Sequence, residues 1–160
     1  FNSSCFYRYC SPDVVQLAQH LGEQGTGPLT RKTVEAFLNG VIATLPKGKT
    51  HGFGTPPAPN YVLCVVREEG APLSLANAFL RPVRPQPTGD RDLVDESISL
   101  LERQLRAVVK MYGARGVTTA VVCAEEYRTL AETVEGLPQY ERAASLELLV
   151  ARVLRALGEP

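Results

Sequence analysis

A chain of 160 residues with 44% hydrophobic content is long enough for one domain with a real core, and its composition is not that of a disordered protein. Seventeen basic residues balance seventeen acidic ones, which excludes the strongly basic character of a free-standing nucleic-acid binder. Binding of that kind would need a local patch or a larger assembly. Cys5, Cys10, Cys64 and Cys123 form no CxxC pair and there is no ligand-spaced histidine cluster, so buried, reduced thiols in the cytoplasm are expected and a structural zinc is not.

The chain opens on Phe1 and runs directly into "FNSSCFYRYC". Residues 5 to 9 alternate, with Cys5, Tyr7 and Tyr9 on one side and Phe6 and Arg8 on the other, which predicts a strand. A start in mid-strand predicts that upstream residues belong to the same protein. "SPDVVQLAQHLG" predicts a helix with Ser11 as cap, Pro12 at its first position, and Gly22 as its stop. A second helix is expected from Thr30 to about Leu45, because Val34, Phe37, Leu38, Val41, Ile42 and Leu45 make one apolar stripe.

Residues 45 to 62, "LPKGKTHGFGTPPAPNYV", are too long for a simple connection and contain no acid. Lys47 and Lys49 carry charge, while Gly48, Gly52 and Gly54 allow backbone N–H groups to approach an anion. Thr50 and His51 add donors, and Phe53 offers a face for stacking. By composition alone this is either a phosphate-tracking loop or a solubilising surface loop. "YVLCVV", Tyr61 to Val66, is apolar at every position and predicts a central strand covered on both sides.

"RPVRPQPTGD" is a loop exposing Arg81 and Arg84. A long helix from about Asp92 to Tyr112 follows, with Val94, Ile98, Leu101, Leu105, Val108 and Tyr112 as its seam and Gly113 as its end. "GVTTAVVC" predicts a β-branched strand, and helical stretches are expected near Glu125–Val134 and Gln139–Leu157. The order predicts an α/β (α+β) fold: one domain over residues 1–160, a small sheet of three strands with helices packed on it.

Catalytic motifs are lacking: no GxSxG, HExxH, Walker A or GxGxxG occurs, and the only imidazoles are His20 and His51. The chain is therefore not expected to be an enzyme or to need a metal or cofactor. No run is long and apolar enough to span a bilayer.

"FNSSCFYRYCSPDVVQLAQHLG", "LPKGKTHGFGTPPAPNYVLCVV", "PLSLANAFLRPV" and the helix ending in "VVKMYG", in this order, resemble the CasC family. CasC is the repeated backbone subunit of the type I-E CRISPR surveillance complex, Cascade. The resemblance covers nearly the whole chain and weakens after about Cys123. Family members are longer, and this chain resembles their C-terminal portion, past the thumb hairpin.

The resemblance implies part of a modified RRM-like (ferredoxin-like) palm lacking its first strand and helix. It implies a non-catalytic cytoplasmic protein of bacterial antiviral defence. Its expected partners are CRISPR guide RNA, copies of itself and other Cascade subunits, with target DNA met through guide pairing and no membrane contact. It favours RNA contact by Lys47, Gly48, Lys49, Thr50, His51 and Phe53, and leaves Arg8 as either an RNA contact or a structural residue. The alternative is a protein–protein assembly module with no RNA contact of its own.

Overall fold

The computed structural model describes residues 5–44, 58–70, 73–84, 91–127, 137 and 140–158. Its elements are α1 (Val14–His20), α2 (Pro28–Ala43), β1 (Tyr61–Arg67), a 3₁₀ turn (Ala76–Phe79), α3 (Leu93–Tyr112), β2 (Val117–Cys123), a second 3₁₀ turn (Glu125–Tyr127), β3 (Tyr140–Arg142) and α4 (Leu146–Ala156). The mixed α/β class and the count of three strands agree with the sequence reading, but the strands are not the same three.

β2 is the middle strand. It pairs antiparallel with β1, from Tyr61 opposite Cys123 to Arg67 opposite Val117, and parallel with β3, from Thr119 opposite Tyr140 to Val121 opposite Arg142. β1 is thus an edge strand among the described residues, not the central strand expected from its unbroken apolar run. Both its faces are used nonetheless. Tyr61, Leu63 and Val65 pack toward α3 with Leu75, Leu101, Leu105 and Val109, and α4 lies against β1 and β2. The open edge keeps every β1 residue only half-buried.

The layers are α3 with the first 3₁₀ turn on one face, and α4 backed by α2 and then α1 on the other. Leu105, Val121 and Leu149 are fully buried, each contributing about 1.5–3 kcal/mol through removal from water.

Helix boundaries follow local chemistry. Asp13, not Ser11, caps α1, its Oδ1 accepting from the Gln16 N–H at 2.9 Å. Gly22 ends that helix as expected. At φ +72° it donates to Gln19 O while Glu23 N–H donates to Ala18 O, a Schellman arrangement.

Helix α2 starts two residues earlier than expected, behind Gly27 and Pro28. Glu23 supplies the missing cap: Oε1 accepts from Leu29 N–H, and Oε2 from both Thr30 N–H and its hydroxyl. The far end of α4 is tied to this junction, because Thr26 Oγ1 donates to Leu157 O at 2.9 Å and Arg31 donates to Gly158 O.

Helix α3 carries a reciprocal capping box between Asp92 and Asp95. Its buried residues are Ile98, Leu101, Glu102, Leu105 and Val109. The expected seam therefore shifts at its end: Val109 replaces Val108, and Tyr112 is exposed. A strict heptad seam drifts around a straight helix, so the face toward a flat sheet follows the 3.6-residue turn instead.

Two further expectations are corrected. Residues 5–9 form no strand: residues 5–13 are irregular, and Cys5 to Asp13 are exposed. Alternation makes a strand only where a ladder partner takes up the backbone groups. The expected helix from Gln139 is instead β3 followed by α4, because Ser145 caps the helix at Leu148 N–H and leaves Tyr140–Arg142 to pair with β2. Of the helix expected over Glu125–Val134, the described part is the short 3₁₀ turn. Among the described residues no helix is long and apolar enough to cross a membrane.

Candidate nucleic-acid interface

The segment with the most binding chemistry, Lys47, Gly48, Lys49, Thr50, His51 and Phe53, lies outside the described residues. Its flanks do not. Upstream, Arg8 donates from Nη1 to the carbonyls of Val41 and Thr44 at the C-terminal end of α2. A guanidinium there neutralises the negative end of the helix dipole and satisfies carbonyls that have no helical partner. Downstream, Asn60 accepts from Ala124 N–H at 2.7 Å, and its side chain reaches Glu126 at 3.4 Å.

Residues 5–13 bridge the two helical layers. Tyr7 packs on Phe79 with ring centroids 4.9 Å apart and planes at 49°. Partial burial, then the neighbouring Tyr9, raise the Tyr7 pKa, against a backbone hydrogen bond from Leu75 that lowers it. Next to this pair are apolar side chains left in solvent: Phe6 is 90% exposed and Leu80 78%. Arg81 and Arg84 follow directly in the chain and are exposed. Aromatic faces with nearby cations are the chemistry of single-strand binding, in which bases stack and phosphates are neutralised.

Sequence reasoning singled out Arg8, Arg81 and Arg84 but missed Phe79, the partner of Tyr7. "SLANAF" has no clear periodicity, and only the tertiary fold brings it to residues 5–9.

The four thiols fall into two kinds, Cys64 and Cys123 sheltered in the sheet and Cys5 and Cys10 in solvent. Burial pushes the Cys64 thiol up to about 12, and burial also raises that of Cys123. A thiol held protonated at neutral pH attacks poorly. Cys5 and Cys10, expected to be buried, are exposed. His20 lines a cleft of about 270 Å³ between α1 and α2, with Asp13, Gln16, Leu17, Thr33 and Phe37 among its walls. Among the described residues no group of three or more His, Cys, Asp or Glu side chains is placed to hold a metal ion.

Sheet and layers together describe an α/β domain that exposes aromatic and cationic side chains around residues 6–9 and 80–84. The CT1975-like protein family matches residues 1–151, and the chain belongs to this CRISPR-associated family. No curated protein shows a significant match to the chain.

Proposed function

We propose that this chain is a palm portion of a CasC-like backbone subunit of the type I-E Cascade complex, in the cytoplasm of a bacterium. It holds CRISPR guide RNA by its sugar-phosphate backbone and assembles with copies of itself and other Cascade subunits. Contact restricted to the backbone leaves the guide bases free to pair with target DNA. The role is binding and not catalysis, and it requires neither metal nor cofactor. Membership in a CRISPR-associated family is the observation that carries the reading. The acid-free segment Lys47–Phe53 supports it, as does the aromatic and cationic surface around Tyr7, Phe79, Arg81 and Arg84.

The test is Lys47→Ala/Lys49→Ala/His51→Ala in the full-length protein, with guide RNA binding measured at two salt concentrations. Loss of two phosphate contacts should flatten the salt dependence by about 1.4 in log–log slope, at roughly 0.7 per contact on a single strand. Unchanged affinity and slope would remove this loop from the RNA surface.

A second reading, an assembly module without RNA contact, is favoured by the exposed Phe6, Leu80, Met111 and Tyr112, since apolar residues left in solvent often mark interfaces. It expects concentration-dependent self-association in light scattering together with no salt-sensitive RNA binding.

A further inference from the structure

Helix α3 has a second face that the reading above leaves without a role. From Arg103 to Gly116 the chain carries Arg103, Arg106, Lys110 and Arg115 and no acidic residue. Spacings of three and four put Arg103, Arg106 and Lys110 on one side of the helix, opposite the buried Leu101, Leu105 and Val109. All four cations are exposed. Among the described residues Arg91 pairs with Glu96 and Arg152 with Glu141, and none of the four is placed in such a pair. Glu102 is buried and accepts from Tyr61, whereas the exposed Glu68 lies against Gly116, next to Arg115, so the three helical cations define the face. A chain with zero net charge has thus gathered unopposed positive charge along one helix face.

We infer that this face, Arg103, Arg106 and Lys110 with Arg115 beyond the helix end, binds the phosphodiester backbone of a single nucleic-acid strand. The helical rise of about 1.5 Å per residue spaces the three helical cations by roughly 4.5 and 6 Å. A flexible single strand can bend to bring a phosphate to each of them. A uniformly negative strand suits a face with no acid on it. Guanidinium and ammonium groups bind phosphate oxygens and do not read the sugar 2′-position, so RNA and DNA are held alike. The inference shares with the proposed function only the premise that the protein handles nucleic acid, and it concerns different residues.

The experiment compares three variants of this chain, the first two matched in the charge they remove, with the unaltered chain, using labelled 20-nucleotide RNA and DNA strands in fluorescence anisotropy at two salt concentrations. Arg103→Gln/Arg106→Gln/Lys110→Gln removes the face while keeping good helix formers. Lys32→Gln/Arg91→Gln/Arg155→Gln removes the same charge elsewhere, and Lys47→Gln/Lys49→Gln tests the loop. The face variant should bind both strands about tenfold more weakly, with a salt slope reduced by about 2, while the control stays within about twofold.

Loss with the face variant but not with the loop variant would uphold this inference and overturn the loop assignment, and the opposite pattern would do the reverse. Equal loss in face variant and control, no binding by the unaltered chain, or equal displacement by poly-glutamate would each overturn it. If the triple variant melts lower than the control, Arg103→Lys/Arg106→Lys decides: it keeps the charge and must retain the affinity.

Discussion

The Glu23 carboxylate accepts two hydrogen bonds from Thr30, one from its backbone N–H and one from its hydroxyl, each at 2.7 Å. Glu23 closes α1 with its own N–H and opens α2 with its side chain, so one residue joins two helices. Gly27 makes room for it: a Cβ there would stand 2.5 Å from the Glu23 carboxyl carbon. Gly27→Ala should therefore lower the melting temperature by several degrees by displacing the carboxylate, and Glu23→Gln should lower it too. In a double-mutant cycle the two losses should not add, since the second change removes a cap already lost. Additive losses by thermal denaturation would show that Gly27 matters for some other reason.

Stability should fall at both ends of the pH scale. Hydrogen bonds from Thr30 hold Glu23 below its ordinary 4.5, and the Asp95 N–H chiefly holds Asp92 below 3.8. Depressed carboxyls stabilise the fold above their unfolded values, and that contribution is lost as pH falls through the folded ones. Burial raises Cys64 from 9.0 and Tyr127 from 10.0, each to about 12. Raised acids contribute stability that is complete below pH 9–10 and is lost as pH climbs toward 12. Urea unfolding should show a plateau between roughly pH 5 and 9 with a decline on either side. Cys64→Ala should delay the alkaline decline, and a flat profile from pH 8 to 11 would refute its assigned cause.

Inside the domain, Tyr61 donates to Glu102 at 3.0 Å, and Glu102 is one of the few charged side chains in the core. Burial and the adjacent carboxylate together keep the Tyr61 hydroxyl protonated well above its ordinary range. Tyr61→Phe should cost about 1–3 kcal/mol in chemical denaturation, because a buried acceptor loses a donor. A change below about 0.5 kcal/mol would mean that the remaining partners of Glu102 suffice.

Arg8 distinguishes a structural from a binding role. Its guanidinium is engaged with the α2 carbonyls. Arg8→Ala should lower stability by about 0.5–1 kcal/mol through the helix end it neutralises. Strand affinity, measured well below the melting point, should keep its salt dependence, whereas loss of a residue holding a phosphate directly would flatten the slope by about 0.7. A large affinity loss at unchanged stability would make Arg8 a nucleic-acid contact.

Local signals were legible in the chain itself. Gly22 and Gly113 end helices where the reading placed them, and Val34 of α2 and Ile98, Leu101 and Leu105 of α3 are buried as their stripes predicted. These are properties of a few adjacent residues, decided by backbone sterics and periodicity. Association with CRISPR was also legible, because a run of specific segments in a fixed order is a property of the chain itself.

Pairing was not. An apolar run says that a strand will be buried but not how many neighbours it has, so β1 read as central and lies at the edge. Residues 5–9 alternate like a strand, yet find no ladder and instead attach through Tyr7 and Arg8. Tyr140–Arg142 looked helical and became a strand because β2 had an open side to offer. Helices depend on their own sequence, whereas a strand exists only through a partner distant along the chain. Only the folded chain could therefore decide which three segments make this sheet and which aromatic side chain meets Tyr7.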